Sequence, residues 1–206
     1  MEYGEKFNTY SHLVGALLAL IGSVALVVLG ALSGDVWKIV SFSIYGTTLV
    51  MLYSFSTLYH NAAQGKTKLF LRKLDHNSIY LLIAGSYTPF TLVSLRGPWG
   101  WSLFGVVWGL ALVGISQELW LVKKTRSVSL VIYILMGWVA LAAIVPLAAT
   151  LTWAGFMWLV AGGIAYTVGI IFYIHDQRFV HWHGIWHLFV LTGSALHYCA
   201  ILLYVA

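Results

Sequence analysis

The sequence predicts an all-α membrane protein: a bundle of seven transmembrane helices with a cytoplasmic N-terminus and an extracytoplasmic C-terminus. Three observations carry this expectation. Hydrophobic residues make up 61% of the 206-residue chain and charged residues 8%, far below the roughly 25% charged of a soluble domain. The remaining charges fall in short segments between uncharged runs, each long enough to cross about 30 Å of hydrocarbon. When those runs are threaded alternately through a bilayer, the basic residues collect on one side.

The first run, residues 11–32, lacks the short core and small-residue cleavage site of a secretory leader and reads as an uncleaved span. The second covers 38–59. The third, 75–95, opens on Asp75 and His76, and the fourth, 99–119, ends near Glu118, ahead of the basic cluster Lys123, Lys124 and Arg126. From Ser127 to Ile174 there is no Asp, Glu, Lys, Arg or His, which is too long for one crossing. Pro146 and the Thr150 to Gly155 region are therefore expected to divide it into spans 127–149 and 154–174. The seventh span is 183–205. Connections this short leave residues 1–206 as one seven-helix domain, multi-pass in the cell's inner membrane.

Lys6, Lys66, Lys68, Arg72, Lys73, Lys123, Lys124, Arg126 and Arg178 lie on the side assigned to the cytoplasm, and only Lys38 and Arg96 lie opposite. The net charge of +5 therefore reads as an orientation signal and not as a nucleic-acid surface. Trp37, Trp99, Trp101, Trp120, Trp153 and Trp182 stand near span ends, where an amphipathic ring is favoured. The lone Cys199 excludes a disulfide framework and any CxxC motif.

With this topology, seven histidines (His12, His60, His76, His175, His181, His183 and His187) fall near cytoplasmic helix ends, and His197 lies deeper. His183 and His187 are four residues apart, which stacks their rings on one helical face. His60 ends the second span on the same side, so the three imidazoles can meet. Three neutral imidazoles suit a tetrahedral zinc ion with one position left for water, the pattern of a catalytic site. Asp75, a carboxylate at the hydrocarbon boundary, is the candidate general base. Ser56, one helical turn before His60, is the candidate to orient that ligand or to donate to an oxyanion.

Blander readings stand beside these. The HxxxH pair can be interfacial histidines reaching lipid headgroups, Asp75 can pair with Arg72 or Lys73, and Ser56 can bond back to its own helix. His12, His76, His175 and His181 read as interfacial. His197, about 15 Å along the helix from His187, has no assigned role.

Taken together, Glu5-x-x-Asn8-x-x-Ser11-His12, Ser56-x-x-x-His60, Leu74-Asp75-His76 and His183-x-x-x-His187 resemble the bacterial haemolysin III proteins of the progestin and adipoQ receptor family. The resemblance extends through residues 80–90 and Trp186 to Phe189. It implies a seven-helix bundle with zinc on His60, His183 and His187, and with Asp75 and Ser56 beside the metal. Similarity to the wider alkaline ceramidase-like group implies hydrolysis of a lipid amide or ester, with membrane lipid as substrate or ligand and a part in lipid homeostasis. A zinc-stabilised sensor of membrane state without turnover is a second expectation. A membrane-lytic protein or channel, as the haemolysin name implies, is a third. The far halves of the spans offer few polar residues for a pore.

Overall fold

The computed structural model describes residues 4–120, 126–179 and 181–206, with only the backbone described at residue 120; Lys123 and Lys124 of the basic cluster lie outside the described residues. Every regular element among them is helical: α1 (Glu5–Ser33), α2 (Val36–Asn61), α3 (Lys66–Pro89), α4 (Pro98–Trp120), α5 (Arg126–Trp138), α6 (Ile144–Thr150), α7 (Trp153–His175) and α8 (Trp182–Tyr204). Among the described residues, six helical rods are long and apolar enough to cross a membrane: Glu5–Ser33, Val36–Asn61, Pro98–Leu119, Arg126–Thr150, Trp153–His175 and Trp182–Tyr204. The third expected span belongs to α3, which is not among them. Its first turns carry Lys66, Lys68, Arg72, Lys73 and Asp75, and these dilute an otherwise uncharged helix.

The surface is apolar, as the composition requires. Leu17, Leu18, Ile21 and Val24 of α1 and Val145 of α6 are exposed, while the interior holds the bulkier aromatic and polar groups. At the centre is α2, whose Phe42, Tyr45, Leu49, Leu52 and Tyr53 pack with Ala19 and Leu26 of α1, Leu82 of α3 and Val190 and Ile201 of α8. Close approach depends on small residues. A Cβ at Gly85 of α3 would lie 2.1 Å from Thr48 Oγ1 of α2, and one at Gly162 of α7 would lie 2.1 Å from the His197 ring of α8.

Side-chain contacts fix which helix ends meet. Glu5 meets His60 and Lys68, Arg126 meets Asp176, and His183 meets His60. The starts of α1, α3, α5 and α8 therefore share one end with the finishes of α2 and α7. At the opposite end Arg96 Nη2 donates to Asp35 Oδ2 at 2.6 Å, and Trp37 packs edge-on to Trp101. The Arg96 guanidinium and the backbone N–H of Trp37 hold the Asp35 carboxyl below its usual range.

The long uncharged stretch divides at Leu151, where the Thr152 side chain caps α7 by accepting from the Gly155 N–H at 3.2 Å. Pro146 does not divide the two rods. It lies inside α6, just past a tight 3-10 turn over Val139–Ala143, where α5 gives way to α6. The ladder is broken earlier, where the 3-10 turn shifts bonding from i−4 to i−3 and frees groups at the end of α5. In a bilayer those freed backbone groups need partners. Tyr87 of α3 supplies them: its hydroxyl accepts from the Ala140 N–H at 3.0 Å and is shared between the Met136 and Gly137 carbonyls, both at 2.9 Å.

A cavity of about 340 Å³ lies between α3, α5, α7 and α8. Its walls are apolar, with Ile79, Ile83, Leu130, Ile134, Leu159 and Ile170 among them, and Ser56, Asp75 and His12 line its inner end.

Removing the Tyr87 hydroxyl strands the partly buried N–H of Ala140. Tyr87→Phe should lower stability by about 1–3 kcal/mol, read as a reduced thermal midpoint in detergent. The same change at exposed Tyr10 should leave the midpoint unchanged.

Candidate metal centre

Three of the chain's six acidic residues, Glu5, Asp75 and Asp176, are drawn to one cluster of histidines. The cluster begins with His60 in the last turn of α2, buried and in contact through Nδ1 with Glu5 Oε2. Lys68 of α3 donates to the other carboxylate oxygen of Glu5 at 3.1 Å. His183 in the first turn of α8 donates from Nδ1 to Asp176 Oδ2 at 2.7 Å. Arg126 holds Asp176 Oδ1 at 2.8 Å while its guanidinium lies 3.8 Å over the Tyr173 ring. Burial would raise the Asp176 carboxyl, but the hydrogen bonds from His183 and Arg126 outweigh it and leave the group below its usual range. His187, one turn further along α8 and fully buried, directs its ring toward the Asn8 carbonyl, and its Nδ1 lies 3.4 Å from Ser11 Oγ.

Each Nδ1 thus faces an acceptor, and we assign the proton there on all three rings. The Nε2 atoms are left as bare lone pairs. They converge: His60 Nε2 and His183 Nε2 are 3.3 Å apart, His187 Nε2 has no hydrogen-bond partner, and the ligand atoms of the three residues all lie within 4.8 Å of one another. Two bare nitrogens at that distance repel, and a shared cation removes the repulsion. Two nitrogens on a tetrahedral ion, each about 2.0–2.1 Å from it, are separated by about 3.3 Å. The donor set therefore fits a metal ion, and the carboxylates behind the imidazoles are the usual outer partners of metal-bound histidine.

The other expected residues take definite places. Asp75 is buried on α3, beside Ser56 of α2, and lies within electrostatic reach of His60 and His183. Ser56 does not orient His60; Glu5 does. His197 points its Nε2 at the Leu159 carbonyl, 3.2 Å away, remote from the cluster. His175 and His181 sit at helix ends outside it. His12, expected at the interface, is instead a core residue, 2% exposed and stacked on His187 with ring centroids 3.6 Å apart.

The sequence reading missed Glu5, Asn8 and Asp176 as partners of the three ligands. Glu5, Asn8 and His12 follow one another at three- and four-residue spacings, so a single face of α1 carries them. Asp176 is the first charge after the 48 uncharged residues that end at Ile174, apart from adjacent His175, and that isolation was its signal.

These features have counterparts in known proteins. A family profile described as haemolysin-III related matches residues 3–198. Hemolysin-3 of Bacillus cereus is 43% identical over 201 residues, covering 98% of this chain and 91% of that protein. The Hemolysin-3 homolog of Bacillus subtilis is 45% identical over 200 residues, covering 97% and 93%. The human monocyte to macrophage differentiation factor is 31% identical over 204 residues, covering 97% and 83%. With the profile running almost end to end and both bacterial and human relatives aligned over nearly the whole chain, this membrane protein belongs to the haemolysin-III related family, within the progestin and adipoQ receptor group.

Proposed function

We propose that the chain is a zinc-dependent intramembrane hydrolase of a lipid amide or ester, serving lipid homeostasis from the cell's inner membrane. In this reading α3 is the seventh crossing, and the metal centre faces the cytoplasm, the side favoured by the basic residues. One observation carries the proposal: three converging Nε2 lone pairs, each backed by an acceptor at Nδ1, stand beside a buried Ser56–Asp75 pair at the inner end of an apolar cavity.

Zinc in this donor set would polarise a carbonyl and bring the pKa of a bound water toward neutrality. The chain's own residues do the rest. Glu5 and Asp176 fix the tautomers of His60 and His183 and offset the cation's charge, while Lys68 and Arg126 keep the two carboxylates from moving. Asp75, buried beside Ser56, has carboxylate lone pairs available to take a proton from a nucleophile. The cavity walls exclude water and accept hydrocarbon, which holds a lipid carbonyl near the histidines.

The alternative, a zinc-stabilised sensor without turnover, is favoured by a different observation. The centre ties α1, α2 and α8 together, so metal there would brace the bundle whether or not it does chemistry. A lytic or channel role finds less support, because the cavity walls are apolar.

Purified wild type should contain one zinc per chain by mass spectrometry, and His60→Ala or the His183→Ala/His187→Ala double variant should contain none. Glu5→Gln and Asp176→Asn should bind zinc about 10–100-fold more weakly in competition with a chelator. Asp75→Asn should keep its zinc while turnover of an N-acyl lipid falls by about 10²–10⁴-fold. Zinc-dependent product from wild type would reject the sensor. No product across a panel of lipid amides and esters, together with a thermal midpoint lowered by chelation, would reject the hydrolase.

A further inference from the structure

His12 is the polar group of the centre that the metal reading leaves unused. It is 2% exposed, and neither ring nitrogen has a hydrogen-bond partner; the nearby His187 carbonyl does not reach hydrogen-bonding geometry. A buried imidazole carries one N–H and one lone pair, and burying both without partners is costly. Packing accounts for the faces of the ring but not for its nitrogens: one face stacks on His187 at 3.6 Å and 8°, and Tyr53 packs edge-on at 5.0 Å.

His12 is not a fourth metal ligand. The in-plane lone pairs of two parallel rings run side by side and do not converge, and the group that can share an ion comprises His60, His183 and His187. The ring does line the inner end of the apolar cavity with Ser56 and Asp75. Asp75 as a carboxylate accepts, and of the three groups His12 is the one whose buried polar atoms have no hydrogen-bond partner. Its ring N–H is therefore uncommitted and available to an occupant. With neither nitrogen engaged, its tautomer is free to follow that occupant.

We propose that His12 contacts the ligand, its ring N–H donating to the acyl oxygen of an amphiphile whose hydrocarbon chain fills the cavity. This rests on the acyl-lipid reading of the same site and assigns the residue that holds the acyl group. The oxygen can belong to a free carboxylate or to an amide, and the two are separable by experiment.

The test uses full-length protein in nanodiscs with radiolabelled palmitic acid and palmitoylethanolamide as probes, measuring affinity and zinc content together. His12→Phe keeps an aromatic ring between His187 and Tyr53 but has no donor; His12→Gln restores an N–H. Phenylalanine should retain one zinc per chain and bind both probes at least about tenfold more weakly, and glutamine should recover most of that loss. A loss confined to palmitic acid would identify the carboxylate as the partner, and a loss for both the shared acyl oxygen. If the phenylalanine variant binds both probes within about twofold of wild type, His12 is packing and the inference falls while the acyl reading stands. Zinc lost from the phenylalanine variant and kept by the glutamine variant would place His12 in the service of the metal and overturn it as well. If wild type binds neither probe, the inference and the acyl reading fall together. The wild type offers a measurement that does not depend on variant folding: in ¹⁵N-histidine-labelled protein, a His12 ring resonance should shift when probe is added, and an unmoved resonance overturns the proposal.

Discussion

Bare imidazole nitrogens aimed at one another repel, and most of what is unusual in this protein follows from forcing three of them together. The arrangement persists because each ring is held from behind. Glu5 holds His60, Asp176 holds His183, and the Asn8 carbonyl with Ser11 holds His187. Those holders are themselves costly in a low-dielectric interior, and two of them carry cations of their own, Lys68 and Arg126. Around the cluster, Glu5, Asp75 and Asp176 bring three negative charges against the two positive of Lys68 and Arg126, an excess of negative charge that favours a cation among the imidazoles.

The distribution of polar residues through the bundle follows the same demand. At the far end, polarity consists of the Asp35–Arg96 pair and of short-range caps such as Thr152 on α7. Midway, Ser194 of α8 gathers the hydroxyls of Tyr53 at 2.8 Å and Tyr166 at 2.7 Å, joining α2 and α7 to the last helix. These bonds satisfy their own donors and acceptors and act as fasteners. At the histidine end, His187 and His12 keep nitrogens without partners beside the converging lone pairs, where an ion or ligand could meet them.

Much of this was legible in the sequence. Charge-free runs marked the long helices because hydrocarbon tolerates few charges, and the HxxxH spacing put His183 and His187 on one face because helical geometry leaves no alternative. The signal weakened where two demands shared a segment. The site end of α3 must be polar to supply Lys68 and Asp75, so by composition it does not read as a span. Pro146 suggested a boundary, but a proline can sit next to a repaired break, and the repair comes from Tyr87, more than fifty residues earlier. Glu5 and Asp176 stood out by spacing and isolation, but which acid backs which histidine was beyond local reasoning, since it depends on how α1 and the α7–α8 connection fold over the site. His12 was misjudged for a related reason: a position near a span end specifies depth in the bilayer, and only packing decides whether the side chain turns outward or inward.

The donors and the groups that back them are scattered along the chain: α1 supplies Glu5 near its start, α2 carries His60 under a third of the way through, and α8, the final helix, carries His183 and His187. As the polypeptide threads into the bilayer, the first imidazole waits while more than a hundred residues are made, and no partial chain lacking α8 contains the converging set. Were an ion bound there, its capture would be reserved for a fully inserted molecule. Occupancy would in that sense record completed assembly, and an interrupted or misthreaded copy would be left without the ion that braces it.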